Sequence, residues 1–477
     1  MKTYMNWMSL AATPLAALAL TVFAAAGSAQ AQSASASGVI VPATTAASAA
    51  SAAPTSAAAT VATAAPAAVP AGDAQIMRGA YLSKVGDCAA CHTVDKSKPF
   101  AGGLPLATPF GTLYSTNITP DNATGIGAYS YDDFARALRE GVAKDGRRLY
   151  PAMPYPSYAK INDDDMHALY RYFLSGVQPI SAANHENGLN FPFNIRPLMT
   201  VWNTLYLPKG IYQPDPQQSV EWNRGAYLVE GLEHCGACHT PRGVTGQELS
   251  FGEQGNGVFL SGYTLAGWYA PNLRSVVADH GGNWSHQDVV AYLRSGRSKD
   301  GAAFGPMSEV IEDSTQYLHD DDLNAIATYL GSPAVQNVVS TVTQPTPAAA
   351  GTQDVVATEL RAGHIGSTGA AVYLNSCNAC HRSDGTGAMA AFPALAGNAA
   401  VNTTDPSSLI HIVLTGSHMP ATDAAPTPVA MPGFGARLSD QQVADLLSFV
   451  RSSWGNHAPA VTSDQVAKVR KVVSSTP

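Results

Sequence analysis

Charge is scarce in this chain of 477 residues: only 13% of its side chains are Asp, Glu, Lys or Arg. Acidic residues outnumber basic ones, 35 to 27, giving a net charge of -8. Without a basic excess there is no electrostatic footprint for nucleic acid. Long apolar runs are also missing after the first thirty or so residues, so no later segment has the length of a transmembrane helix. There is no glycine-rich nucleotide fingerprint, and no clustered base and nucleophile that would suit an enzyme's own chemistry. Cysteine is rare as well. The six present are all used in one pattern, and none is left over.

That pattern is Cys88-Ala-Ala-Cys91-His92, repeated as Cys235-Gly-Ala-Cys238-His239 and Cys377-Asn-Ala-Cys380-His381. Cys-x-x-Cys-His is the spacing for covalent attachment of c-type haem. Two thiols one helical turn apart reach the two vinyl groups, and the adjoining histidine becomes the proximal iron ligand. A disulfide or redox pair has no use for the histidine. Zinc sites join two such half-sites into one centre, whereas these three lie far apart. Three haem c groups are therefore expected, and electron transfer with them.

The amino terminus agrees with a compartment where haem is attached to thiols. Lys2, the apolar run Leu10 to Ala26 and the small-residue site Ala29-Gln30-Ala31 read as a signal peptide over residues 1–31. An uncleaved anchor is the alternative. Residues 32–72 are almost only Ala, Ser, Thr, Pro and Val without charge, the composition of a disordered tether. The remaining ~400 residues are too many for one core and suit three domains of about 100 residues.

The units repeat. Arg78-Gly-Ala-Tyr81-Leu82 matches Arg224-Gly-Ala-Tyr227-Leu228, with Ala370-Ala-Val-Tyr373-Leu374 as a looser copy, each a helix leading into a haem motif. Asp163-Asp-Asp165, Asp320-Asp-Asp322 and Ser439-Asp440 open closing helices, with apolar residues following at spacings of three, four and seven. Acidic residues suit the positive helix end, and Ser439 with Gln442 has capping-box spacing. Middle helices are expected over Asp132 to Glu140, Gln287 to Arg294 and Ser407 to Leu414, ending at left-handed caps on Gly141, Gly296 and Gly416. The expected fold is all-α: three tandem class I cytochrome c domains, over 73–185, 218–335 and 359–458. A connector covers 186–217, a linker 336–358 and a tail 459–477.

A relay haem wants both axial positions filled, commonly by His and Met. The loop before each closing helix supplies Met153, Met307 and Met431, so the expected pairs are His92/Met153, His239/Met307 and His381/Met431. A methionine merely packed on the ring is the alternative reading of each. Met419 competes in the third unit, but Met431 stands before Ser439 about as far as Met153 stands before Asn162. His167, His234, His286, His411 and His418 are read as surface or packing residues, with His418 the nearest rival ligand. Arg242 is a candidate partner for a haem propionate.

Longer strings carry a family resemblance: Gly86-Asp-Cys-Ala-Ala-Cys-His92, Phe110-Gly-Thr-Leu-Tyr-Ser-Thr-Asn-Ile-Thr-Pro-Asp121, Leu149-Tyr-Pro-Ala-Met-Pro-Tyr-Pro156, Cys235-Gly-Ala-Cys-His-Thr-Pro-Arg242 and Ser453-Trp-Gly455. From about Asp73 to Lys468 the chain resembles the tri-haem cytochrome c subunits of membrane-bound alcohol and sugar dehydrogenases of acetic acid bacteria. The resemblance implies a catalytic partner subunit carrying PQQ or FAD, a third small subunit, and ubiquinone as acceptor. It also implies residence on the periplasmic face of the cytoplasmic membrane, with substrate oxidation performed by the other chain. Phe191 to Tyr212, apolar but broken by prolines, is the candidate membrane-facing stretch, a buried inter-domain connector being the alternative. A free periplasmic carrier and a haem enzyme such as a peroxidase are the competing functions. The second of these needs an open axial position, which three methionines argue against.

Overall fold

The computed structural model describes residues 71–108, 111–243, 245–253, 257–274, 284–298, 301–332, 350–388 and 391–475. The expected signal peptide, and the tether up to residue 70, lie outside them. Each unit opens with a helix that runs into its haem motif: Ala71–Val85, Val220–Tyr227 and Thr368–Ser376. Ser219 and Ser367 start the second and third of these by accepting the backbone N–H of Trp222 and Ala370. Middle helices follow at Tyr131–Glu140, His286–Ser295 and Ser407–Thr415, and closing helices at Asp163–Arg171, Asp320–Leu330 and Asp440–Ser452.

The opening helix crosses its closing helix at one glycine in every unit. A Cβ on Gly79 would stand 2.0 Å from the Ala168 carbonyl oxygen, and one on Gly225 2.0 Å from that of Ala325. On Gly369 it would stand 2.2 Å from the Asp445 carbonyl oxygen. Only hydrogen allows this approach, so the crossing is fixed by backbone against backbone. In the third unit the sequence repeat set Ala371 opposite Gly79 and Gly225. The structure instead uses Gly369, two residues earlier, because the tyrosine spacing differs from the crossing spacing.

Caps largely follow the sequence. Ser130 with Asp133, Ser285 with Asp288 and Ser439 with Gln442 close reciprocal capping boxes. Gly141 (φ 63°, ψ 40°) and Gly296 (φ 70°, ψ 14°) are left-handed caps. Gly416 differs: φ 79° with ψ -179° sends the chain straight into the strand Gly416–His418, which pairs with Ala430–Pro432. Glycine is still required there, since a Cβ would meet the Met431 carbonyl oxygen at 2.5 Å.

Short antiparallel pairs also interrupt the expected all-α picture, making the chain helix-rich. They include Pro105–Thr108 with Gly111–Tyr114, and Tyr263–Leu265 with Trp268–Ala270. Two stretches read as linker and tail are partly helical. Ala350–Arg361 overlaps the linker and buries Leu360, while Ser463–Ser475 buries Val466 and Val469 in the third core. Those valines recur three apart, enough to seal one face of a helix.

Units one and two share one continuous core, from Leu82 and Phe173 through Trp222 to Tyr329, whereas the third has its own. A reciprocal polar lock joins the first two. Arg78 Nε donates to Asp165 Oδ1 (2.7 Å) within unit one, and Tyr227 of unit two donates to Asp165 Oδ2 (2.7 Å). Conversely Arg224 donates twice to Asp322 (2.7 and 2.8 Å), and Tyr81 of unit one donates to Asp322 Oδ2 (2.5 Å). Each tyrosine oxygen also accepts the N-cap N–H of the partner unit's closing helix, from Asn162 and His319. The two units are thereby related by an approximate two-fold arrangement of equivalent residues.

Gly225→Ala should lower stability by about 1–3 kcal/mol, because the backbones must part. Denaturant unfolding followed by circular dichroism measures it, and a wild-type midpoint would contradict the close crossing.

Candidate haem sites

Each Cys-x-x-Cys-His segment follows its opening helix, the second after the wider helical turn Leu228–Leu232, in the short turns Cys88–His92, Gly236–His239 and Asn378–His381. Fixing that helix at its glycine therefore fixes the turn. All three histidines make one and the same contact. Nδ1 of His92 meets the Thr116 carbonyl at 2.6 Å, that of His239 meets Pro271 at 2.7 Å and that of His381 meets Pro393 at 3.0 Å. A carbonyl only accepts, so Nδ1 carries the proton and Nε2 presents a lone pair. A carbonyl bound at Nδ1 in this way fixes the orientation of an imidazole that is to ligate a metal through Nε2. Burial also pushes all three histidines below their ordinary pKa, keeping the rings neutral for ligation.

Five of the six thiols are held toward the neutral form. Burial pushes Cys88, Cys91 and Cys377 up to about 12, and raises Cys235 and Cys238 as well. Catalytic Cys-x-x-Cys thiols are shifted the other way. Among the described residues no three His, Cys, Asp or Glu side chains converge as a zinc site requires. The donor set thus fits thioether-linked haem.

The methionines fall in different settings. Met431 and His381 line one cavity together with Cys377, Tyr373, Pro393 and Leu446. Met419 is buried but does not line that cavity. Met153 packs on the shared core, as does Cys88. Met307 is half-buried in the first turn of the helix Pro306–Asp313.

The remaining histidines pack locally. His167 stacks on Tyr131 (3.7 Å), His411 stacks on Trp268 (3.8 Å) and His286 pairs with Asn324. His234 lies edge-on to Tyr158, and His418 stands 3.9 Å from Glu312. Arg242 braces the second haem turn, donating to the carbonyls of Ala237 (2.5 Å) and Gly246 (2.7 Å). Its Nε is buried with no protein partner, a donor suited to a propionate.

Sequence reasoning missed the three backbone carbonyls, since nothing marks Thr116, Pro271 or Pro393 before folding. It quoted Trp454 only within Ser453-Trp-Gly455 and missed its contacts: the indole Nε1 donates to Ser383 O (2.9 Å) just past the third motif, and the ring sits over Gly385.

The three Cys-x-x-Cys-His turns have the form of covalent haem attachment, the mark of the cytochrome c class. The Cytochrome c family matches residues 76–176, 223–333 and 367–454, and the chain belongs to that family. It is 50% identical over 407 residues to the gluconate 2-dehydrogenase cytochrome c subunit of Pantoea cypripedii, covering 84% of this chain and 90% of that one. It is 44% identical over 410 residues to the cytochrome c subunit of the quinone alcohol dehydrogenase of Gluconobacter oxydans, covering 84% of each. To the fructose dehydrogenase cytochrome subunit of Gluconobacter japonicus it is 39% identical over 410 residues, covering 83% and 82%.

Glu233, two residues before Cys235, is buried, and that burial raises its carboxyl from 4.5 to about 8. The folded state then holds a proton that the unfolded chain releases, so this group's stabilisation is full below pH 4.5 and lost as pH rises through about 8. Denaturation midpoints should fall over that window, and Glu233→Gln should flatten the fall. An unchanged slope in the variant would contradict the assignment.

Proposed function

We propose that this chain is the electron-relay subunit of a membrane-associated dehydrogenase. It would carry three haem c groups, linked through Cys88/Cys91, Cys235/Cys238 and Cys377/Cys380. The observation that carries the reading is the thrice-repeated histidine with Nδ1 bound to a backbone carbonyl. Bound haem c supplies a one-electron iron couple, and His/Met ligation favours relay over substrate chemistry. His92, His239 and His381 would offer Nε2 from one side, and Met153, Met307 and Met431 sulfur from the other. At the third site the apolar lining, with Leu446, Leu447 and Val450 beside His381 and Met431, would limit access of water to a group held there. Three tandem cytochrome c domains, over 73–185, 218–335 and 359–458, would each hold one group.

The relatives' names support a dehydrogenase catalytic subunit as electron donor; PQQ or FAD as its cofactor, and a third small subunit beside it, are part of the proposal on the strength of the sequence resemblance. Ubiquinone is the acceptor in this reading, on the periplasmic side of the cytoplasmic membrane after export by the amino-terminal signal. Among the described residues no helix is long and apolar enough to cross a membrane. The connector 186–217 supplies the contact instead. Its helix Leu198–Tyr206 anchors Met199 and Trp202 against Tyr155, while Val201 (59%) and Leu205 (65%) face outward; Phe191 (77%), earlier in the connector, is exposed too. Arg196 turns inward, over the Tyr150 ring at 4.8 Å. Such a one-sided helix suits the lipid interface.

Purification in mild detergent should yield a large dehydrogenase subunit together with this chain, and isolation of the cytochrome alone would count against the proposal. Met431→Leu should remove the His/Met signature from one haem and leave the other two intact; the same loss from Met419→Leu instead would reassign the ligand. Val201→Glu with Leu205→Glu should release the protein from washed membranes, and full retention would remove this helix from the account.

A further inference from the structure

Two walls of the third cavity come from the second unit. Ala302 and Phe304 line it together with Tyr373, Cys377, His381 and Met431. We infer that Phe304 is a positioning residue for the third haem, lent by the neighbouring unit; this rests on the His381/Met431 reading above.

Phe304 is held there from several directions. The next residue, Gly305, donates its N–H to Ser417 Oγ (3.0 Å), and Ser417 is the register partner of Met431 in the strand pair. Ser308 Oγ donates to the His418 carbonyl (2.8 Å), and Arg297 donates to that of Thr427 (2.7 Å). Trp268 covers the turn from behind. Its ring lies 6.2 Å from that of Phe304 and stacks at 3.8 Å on His411 of the helix Ser407–Thr415. Gly305 has φ 55°, and a Cβ there would stand 2.7 Å from the Trp268 ring. Residue 305 can therefore be only glycine, which sets the direction in which Phe304 leaves the chain.

Tyr269 adds a second clamp, exchanging backbone hydrogen bonds with Ser408 Oγ (2.8 and 3.1 Å). The same hairpin leads directly to Pro271, whose carbonyl holds His239. One short segment thus orients the second site's histidine and docks against the third. The third unit has its own core, but part of the lining of its cavity belongs to the second. A phenyl ring on that wall would keep water from a haem held there, and burial raises the potential of such a group.

Redox titration of the full chain, followed optically, tests this. Phe304→Ala should lower one of three midpoint potentials, and the haem affected should be the one altered by Met431→Leu. Phe304→Leu, which keeps an apolar wall, should stay near wild type. Ala302→Ser tests the same wall with a smaller change and should shift the same haem. Three unchanged potentials in Phe304→Ala and Ala302→Ser, or a shift confined to the haem altered by Met307→Leu, would overturn the inference. Should Met431→Leu alter no haem, the ligand assignment itself fails and the inference falls with it.

Discussion

Backbone contact between the opening and closing helix of each unit governs the rest of the molecule. At Gly79, Gly225 and Gly369 the facing carbonyl oxygen lies where any side chain would stand. With the crossing fixed, the carboxyl end of the opening helix has one position, and the Cys-x-x-Cys-His turn begins there. The histidine ring then meets a carbonyl already held by the loop that follows. A small domain that shares its interior with a large planar group has few side chains left to define its geometry. Close-packed backbones supply that definition without using interior volume.

The first two units carry this further by fusing their cores. Tyr81 and Tyr227 each cross to the other unit's aspartate, and each aspartate is also held by an arginine of its own unit. A buried carboxylate is tolerated only with such partners. The third unit is joined differently, through a hairpin, a glycine turn and one phenylalanine. A rigid pair with a separately folded third unit fits a relay that must present one surface to a donor and another to an acceptor.

Much of this was legible in the chain. The haem motifs, the three helices per unit, the Ser439 capping box and two of the three left-handed glycine caps follow local rules, because they depend on neighbours within a few residues; the boxes at Ser130 and Ser285 obey the same rule but went unread. What escaped depends on contacts between distant segments. Gly369 was hidden because the tyrosine repeat suggested another register. Gly416 serves a strand pair that forms only when Ala430–Pro432 returns beside it. The carboxyl-terminal helix was read as a tail although Val466, Val469 and Val473 recur at helical spacing, because it lies beyond the three repeated units. Thr116, Pro271 and Pro393 act through main-chain oxygens, which every residue possesses. For the methionines, loop position picked Met431 over Met419, and the former shares a cavity with His381.

The central claim is that one chain holds three separately ligated relay haems. Reductive titration of the purified chain to its end point, with spin state followed by electron paramagnetic resonance, tests it most directly. The account predicts three one-electron equivalents per polypeptide, with every ferric haem low-spin at rest. Fewer than three equivalents, or a high-spin haem that binds carbon monoxide when reduced, would contradict it.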